Sequence, residues 1–190
     1  MKTNVIEISS QQHESSESLG RFNSIINYHT NNNDNFISIF IGSPNIMLGT
    51  LGLAGSPFSN NRRKLFEKTN WILINKEAMP HGELKLYNEG KAAIGELGHW
   101  LGLYKTFSNK CDGPGDYVED TPAHPNPTFN QEVVEACLKG EYVPIHNYMN
   151  YSPDSLMNEF TRGQVTRMKI CLVLFRNQFL EEKHFEKIKI

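Results

Sequence analysis

The stretch NEGKAAIGELGHWLGLY, residues 88–104, decides the fold of this chain. Asn88 is a favourable helix N-cap, and Gly102 readily adopts the left-handed conformation that ends a helix. At 100° per residue, bulky side chains fall on one stripe of this helix, and small ones, together with His99, fall on the other. Each interior glycine costs a helix about 0.8–1 kcal/mol relative to alanine. The small face therefore packs closely against another element or lies under a site.

Two apolar segments before this helix predict strands. The run NFISIFIG begins at Asn35, and TNWILIN begins at Thr69; both are rich in Ile or aromatic residues. The Gly-rich stretch 48–57 between them predicts a turn. The polar residues before Phe36 offer little apolar surface to offset ordering, so at most one short helix is expected there, near 19–28. The expected divisions are a polar flexible lead-in (1–35), a folded domain (36–175) and a C-terminal helical tail (176–190).

Composition restricts the class of protein. The 190 residues fit one domain, and 38% hydrophobic residues supply enough apolar surface for a core. A net charge of -2 provides no field to recruit nucleic acid or an anionic membrane. No segment approaches the roughly 20 apolar residues that cross a bilayer, and residues 1–18 lack the apolar stretch of a secretory signal. We expect a monomer with no nucleic-acid or membrane partner and, as the chain is written, no export.

The segment GELGHWLGLYK, residues 95–105, closely resembles the HExxHxxGxxH zinc signature of metzincin peptidases, in the form typical of the pappalysin family. In that family, three histidines hold zinc, and the glutamate after the first activates a metal-bound water. The resemblance implies that Glu96 is the catalytic glutamate and that His99 is a zinc ligand. The first ligand position, however, is Gly95, and the third is Lys105.

Two further segments extend the resemblance to roughly residues 36–170. CDGPGDYVEDTPA (111–123) is similar to the acidic segment after the family's zinc helix, and IHNYMNYSPDSLMNEFTRGQVTRM (145–168) is similar to its Met-turn and last helix. The resemblance implies an α/β (α+β) metzincin fold, shortened at its N-terminus, with a small twisted sheet, an active-site helix and a loop-rich C-terminal subdomain. It also implies that Met149 forms the floor under the metal and that Tyr151 stabilises the transition state.

The two replaced ligand positions decide the functional prediction. Glycine has no donor atom and a lysine ammonium repels a cation, so we expect no ordinary catalytic zinc site. The leading interpretation is a pappalysin-like protein without normal zinc endopeptidase activity that keeps a binding site for a polypeptide. One alternative is a zinc endopeptidase with altered ligands, in which Glu96 is the base, His99 a ligand and Tyr151 the oxyanion helper. Another is a decaying product without a selected role.

The replaced positions lead to two further expectations. The Lys105 ammonium should pair with Glu96, so that Lys105→Ala destabilises the fold more than a change at a surface lysine. Substitute ligands are disfavoured, because the histidines considered for this role, His81, His124 and His146, all lie in loop segments.

The acidic segment after the zinc-motif match is a candidate calcium site. Hard cations prefer clustered carboxylate and carbonyl oxygens, and some members of the resembling family hold calcium nearby. The carboxylates concerned are Asp112, Asp116, Glu119 and Asp120. A solvated acidic loop is the alternative interpretation.

The three cysteines are widely spaced and form no CxxC motif, so they predict no structural zinc site. The resemblance places a disulfide partner for Cys111 at Leu156, and a partner for Cys137 near Phe129. Neither position holds a cysteine, so we expect Cys111 and Cys137 to be free thiols. Members of the resembling family are extracellular, but together with the missing secretion signal the free thiols suggest a chain that has left an oxidising compartment and is cytoplasmic as written. An incomplete N-terminus would leave the same gap in the signal and is the alternative.

Overall fold

The computed structural model describes residues 23–30, 36–42, 50–58, 69–130 and 132–180 of the chain. They form a mixed three-stranded sheet between two helices, followed by a loop-rich region that ends in a third helix. The elements are α1 (residues 23–29), β1 (Ser38–Gly42), β2 (Gly52–Ala54), β3 (Trp71–Asn75), α2 (Lys91–Trp100) and α3 (Arg162–Phe175), with 3₁₀ turns at Lys76–Ala78 and Asn177–Phe179. None of the described helices is long and apolar enough to cross a membrane.

Strand β3 lies at the centre of the sheet. It runs parallel to β1, with Ser38 opposite Trp71, and antiparallel to β2, with Gly52 opposite Ile74. Because β3 is covered on both faces, its sequence WILIN is almost unbroken in apolar residues. The structure confirms both predicted strands. It also adds β2 where the sequence predicts only a turn, because three residues beginning with a glycine are too few to show a strand pattern.

The two faces of the sheet carry separate apolar cores. On one face, Trp71 and Leu73 of β3 pack against Ile26 of α1. On the other face, the intervening residues of β3 pack against Trp100 of α2, which is 3% exposed. Trp100 therefore anchors the end of α2 to the sheet.

The start of α2 differs from the sequence prediction. The helix begins at Lys91 rather than after Asn88, and its N-cap is Gly90 with φ 82°. The carboxylate of Asp154 accepts hydrogen bonds from the backbone amides of Glu89 and Lys91, at 2.8 and 3.4 Å. It supplies the negative group that a helix N-terminus favours. Asp154 lies 63 positions beyond Lys91, so no local sequence pattern reveals this cap.

The end of α2 agrees with the prediction. Gly102 has φ 86°, and its amide donates to the carbonyl of His99. The amide of Leu103 donates to the carbonyl of Gly98 at 2.9 Å, which completes a Schellman motif. This turn reverses the chain and returns residues 103–105 toward the small face of α2.

Helix α3 begins with a capping box and ends at a buried arginine. The Thr161 hydroxyl accepts from the amide of Gln164, and the Gln164 side chain accepts from the amide of Thr161. After the last turn, Arg176 is 2% exposed, donates to the Asn70 side chain at 2.8 Å and stacks 4.5 Å from the Trp100 ring. This side chain therefore ties the end of α3 to the sheet and to α2.

The predicted ends of the chain can be compared only in part. Residues 1–22 and 31–35 of the predicted lead-in, and 181–190 of the predicted tail, lie outside the described residues. The helix at 23–29 overlaps the short helix expected near 19–28. The described part of the tail contains a single 3₁₀ turn, Asn177–Phe179.

The expectation of free thiols at Cys111 and Cys137 is wrong. The two cysteines form a disulfide with their Cα atoms 5.5 Å apart. The amide of Cys137 donates to the carbonyl of Ala123, which brings this segment back beside the acidic loop that begins at Cys111. The partner of each cysteine is therefore the other, and Cys171 is buried and free.

Candidate active site

The glutamate of the zinc-motif match lies between α2 and the edge strand β2. Glu96 is 7% exposed, and its Cγ atom lies 2.5 Å from where a Cβ atom on Gly52 would be. A side chain at Gly52 would displace Glu96, so this glycine makes room for the carboxyl group. Burial raises the pKa of Glu96 to about 7, against a smaller opposing effect of the Lys105 charge. A group with this pKa can take up or release a proton near neutral pH.

His99 keeps one ring nitrogen available. Its Nδ1 lies 2.8 Å from the carbonyl oxygen of Leu103. A carbonyl can only accept, so Nδ1 carries the proton and Nε2 holds a lone pair. Burial lowers the pKa of His99 to about 4, and the Lys105 charge acts in the same direction. His99 is therefore neutral at neutral pH, and its Nε2, which bonds no described residue, can bind a metal ion or accept a proton.

The turn at Gly102 positions Lys105 in the same region as Glu96 and His99. The amide of Thr106 donates to the carbonyl of Met149 at 3.2 Å and fixes this segment beside residues 147–151. The Lys105 Nζ atom lies 4.0 Å from where a Cβ atom on Gly95 would be, and 4.9 Å from the centre of the Tyr151 ring. The ammonium thus faces the aromatic ring in cation–π geometry, and Gly95 leaves space beside it.

The pairing predicted between Glu96 and Lys105 is present in the structure only as a longer-range electrostatic interaction. In the described part of the chain, no carboxylate oxygen lies within 4.0 Å of the Lys105 ammonium. Burial lowers the pKa of Lys105, and the Glu96 charge offsets this only in part. The two groups therefore interact at longer range, because the lysine side chain is directed over Tyr151. The structure therefore gives no reason to expect that Lys105→Ala destabilises the fold more than a change at a surface lysine.

Met149 lies directly beneath α2. Its side chain is fully buried, and its Sδ atom lies 2.7 Å from where a Cβ atom on Gly98 would be. The Asn147 side chain accepts from the amide of Met149 and makes two hydrogen bonds with the Gln164 side chain, at 2.8 and 3.1 Å. The start of α3 therefore holds the segment that carries Met149.

Tyr151 closes the group. Its side chain is 37% exposed and packs against Phe107, with ring centres 4.9 Å apart. Burial raises the pKa of Tyr151, and the Glu96 charge adds to this, so the hydroxyl stays protonated and can donate a hydrogen bond. The structure thus brings together the residues that we call the central cluster: Gly95, Glu96, His99, Lys105 and Tyr151.

The four candidate calcium ligands have separate surroundings. Asp116 is buried and accepts from the Thr121 hydroxyl at 2.5 Å, whereas Asp112 and Glu119 are exposed. Burial acts to raise the pKa of Asp120, but hydrogen bonds from the start of α3 outweigh it and the pKa is lowered. Among the described residues, no group of three or more His, Cys, Asp or Glu side chains is placed to hold a metal ion.

The three loop histidines do not join the central cluster in a ligand group. The two ring nitrogens of His124 are bonded within the protein, to Asn126 and to Thr106. His146 is exposed and bonds the Leu156 carbonyl, and His81 is exposed in a turn with φ 73°.

Sequence reasoning missed two residues that support the central cluster. Gly52 allows Glu96 to reach β2, but it stands in a Gly-rich stretch where no pattern distinguishes it. Asn147 orients the segment of Met149 and Tyr151 through Gln164. The T-x-x-Q spacing of a capping box could have indicated the start of α3, but not the long-range amide pair.

The sheet, helix α2 and the segment beneath it define the metzincin class of peptidase fold. Mature mirolysin from Tannerella forsythia, in complex with a cleaved peptide, matches with a TM-score of 0.68 at 24% identity, covering 90% of this chain and 65% of that chain. Mirolysin in complex with compound 9 matches with a TM-score of 0.67 at 27% identity and the same coverage.

The family follows from the sequence comparisons. The sequence model of the pregnancy-associated plasma protein-A peptidase family matches residues 20–173, and the chain belongs to this family. Extracellular metalloprotease 1 of Coccidioides posadasii is 49% identical over 104 residues, 54% of this chain and 38% of that protein. An extracellular metalloprotease of Arthroderma benhamiae is 36% identical over 138 residues, 70% of this chain and 46% of that protein. The chain spans less than half the length of these curated relatives.

Proposed function

We propose that this protein binds polypeptide segments at the central cluster without normal zinc endopeptidase activity. The observation that carries the proposal is the donor set. A catalytic zinc site uses three protein ligands and keeps one position for water. Here His99 offers one nitrogen, Gly95 offers no donor, and Lys105 brings a positive charge to the same place. These residues do not fit a zinc ion, so we derive no catalytic step through one.

The edge strand supports peptide binding. Strand β2 pairs with β3 along one side, and among the described strands its other side is an edge of the sheet. An extended peptide can add to such an edge through backbone hydrogen bonds. Glu96 contacts Gly52 of β2, so a peptide on this edge would lie beside the central cluster. Mirolysin, which shares the fold, is described in complex with a cleaved peptide.

Zinc content and peptidase activity test the proposal together. The purified protein, incubated with excess zinc and desalted, should carry well under one zinc per chain and should leave an unfolded protein substrate intact. Stoichiometric zinc with chelator-sensitive cleavage would contradict the proposal.

Restoring the ligands gives a matched positive test. The double variant Gly95→His with Lys105→His should bind zinc, because it supplies three imidazoles with His99 and removes the ammonium. A Cβ atom at residue 95 would lie 3.0 Å from the Tyr148 carbonyl oxygen, so a shift of a few tenths of an ångström is needed. Adding His99→Ala to the double variant is the control and should abolish binding. A folded double variant without zinc would show that the scaffold no longer fits the metal.

A zinc endopeptidase with altered ligands is the second candidate. Two observations favour it: His99 Nε2 is free, and the pKa of Glu96 is about 7, which suits a general base. In that case Tyr151 would serve as hydrogen-bond donor to the reacting carbonyl, and Met149 would be the Met-turn residue. Cleavage by the unmodified protein that Glu96→Gln abolishes would favour this candidate.

The Cys111–Cys137 disulfide is relevant to the cellular compartment in which the protein resides. Bonds such as Cys111–Cys137 persist in oxidising environments, and the relatives are named extracellular metalloproteases. We therefore propose that the protein resides in an oxidising compartment, against the interpretation based on free thiols. Mass mapping of the unreduced protein from its native source should find the Cys111–Cys137 peptide pair.

A further inference from the structure

We propose that the Lys105 ammonium binds a carboxylate of the polypeptide ligand that lies along β2. This inference rests on the proposed peptide binding and names the chemical group that the central cluster recognises. It starts from a cation without a counter-ion. In the described part of the chain, no carboxylate lies within 4.0 Å of Lys105 Nζ, and this nitrogen makes no hydrogen bond.

The ammonium is held in place rather than free to leave. The hydrogen bond from Thr106 to Met149 fixes its backbone, and the Tyr151 ring supports the charge from one side. A half-buried ammonium has lost part of its water, and the face of an aromatic ring replaces that water only in part. Its N–H donors are therefore available to an anion from outside the chain.

Gly95 adds no side chain to the space in front of Lys105. Among the described atoms outside the backbone of α2, the Lys105 ammonium, at 4.0 Å, and the Tyr148 carbonyl oxygen, at 3.0 Å, lie nearest to where a Cβ atom on Gly95 would be. A carboxylate that enters beside the ammonium, away from the Tyr148 carbonyl, would accept from Lys105. The Tyr151 hydroxyl, which has no partner among the described residues, is a second donor, carried by the ring that the ammonium faces. Paired donors of this kind favour a carboxylate over a neutral amide.

Glu96 does not take the place of this ligand. Its carboxyl group is directed toward Gly52 of β2 and lies beyond 4.0 Å from the ammonium. A peptide that runs along β2 passes this position and can carry either a side-chain carboxylate or its own C-terminal carboxylate to Lys105.

Four labelled peptides distinguish the two sources of the carboxylate. The probes are fluorescein-labelled hexapeptides of alternating Leu and Thr: one with a free C-terminus, one with a C-terminal amide, and two amidated peptides with a central Asp or a central Asn. Fluorescence anisotropy with the full chain should show one acidic peptide binding about tenfold tighter than its neutral counterpart, as one charge-assisted hydrogen bond implies. The pair that shows the difference identifies the source.

Variants at Lys105 test whether its ammonium causes the preference for the acidic peptide. Lys105→Met should reduce the acidic peptide to the affinity of the neutral one, whereas Lys105→Arg should keep the preference. Lys169→Met, on the exposed side of α3, is the matched control and should change nothing. Equal binding of acidic and neutral peptides, or a preference that survives Lys105→Met, would overturn this inference and leave peptide binding intact. If none of the four peptides binds, the proposed function fails with it.

Discussion

The loop-rich region after α2 and the central cluster differ in how their polar side chains are paired. In residues 111–164, Asn147 bonds Gln164, and the Thr128 and Asn150 side chains bond each other at 2.7 Å. In the central cluster, by contrast, the side chains of Glu96 and Lys105 make no hydrogen bond with any described residue, whereas in the loop-rich region one oxygen each of Asp116 and Asp154 lacks a described partner. Buried polar groups are normally paired, and unpaired ones concentrate at sites that meet a ligand. The hydrogen bonds of the loop-rich region therefore stabilise the fold, and the proposed binding function rests on the central cluster.

Breaking the amide pair under α2 should have the largest effect. Asn147→Ala removes three hydrogen bonds and leaves the Gln164 side-chain NH₂ group and the Met149 amide without their partner in a buried place. We expect a loss of about 4 kcal/mol in the free energy of unfolding, measured by urea denaturation. Asn158→Ala, at an exposed asparagine, is the control and should cost less than about 0.5 kcal/mol. A small loss at Asn147 would mean that the loop-rich region does not depend on this pair.

Removing the disulfide tests the loop-rich region by increasing the conformational entropy of the unfolded chain. The double variant Cys111→Ser with Cys137→Ser opens a loop with a sequence separation of 26 residues. Loop-closure entropy predicts a loss of about 3 kcal/mol in the free energy of unfolding. Reducing the unmodified protein with dithiothreitol should give the same loss. Unchanged stability after both treatments would show that the bond does not form in solution.

The buried ionisable groups of the central cluster should make the free energy of unfolding depend on pH. The pKa of Glu96 rises from 4.5 to about 7 on folding, so its contribution to stability falls as the pH rises through that window. The pKa of His99 falls from 6.5 to about 4, so its contribution rises with pH over nearly the same window. In the metal-free protein the two effects nearly cancel.

Single variants separate the two effects. Between about pH 5 and about pH 6.5, Glu96→Gln should gain about 2 kcal/mol of stability as the pH rises, because only the His99 effect remains. His99→Gln should lose about the same amount. Urea denaturation at both pH values measures each slope, and two variants with flat profiles would show that neither group is buried as described.

The smallest effect is expected at Lys105. Because its ammonium has no direct ion pair with a described residue, Lys105→Met should change the free energy of unfolding by less than about 1 kcal/mol, or increase it. Thermal denaturation beside Lys169→Met measures the difference. A loss of about 3 kcal/mol would indicate a direct ion pair with Glu96. The polar side chains of the central cluster would then be paired like those of the loop-rich region.

The sequence by itself determined the family, the two longer strands, the zinc-motif helix and its end at Gly102. These follow from local patterns: an apolar run, a helical period and a glycine that tolerates a positive φ. The same reasoning identified Glu96, His99, Lys105 and Tyr151 as neighbours, because the resemblance carried their spacing.

Only the tertiary structure decided how these neighbours meet. The cap of α2 by Asp154, the bond between Cys111 and Cys137, and the buried Arg176 each join residues far apart in sequence. Their partners are selected by the path of the folded chain, which no local period encodes. For the same reason the direction of Lys105, over the Tyr151 ring rather than onto a Glu96 oxygen, could not be predicted: it depends on the fold bringing this segment, held by the bond from the Thr106 amide to the Met149 carbonyl, beside Tyr151.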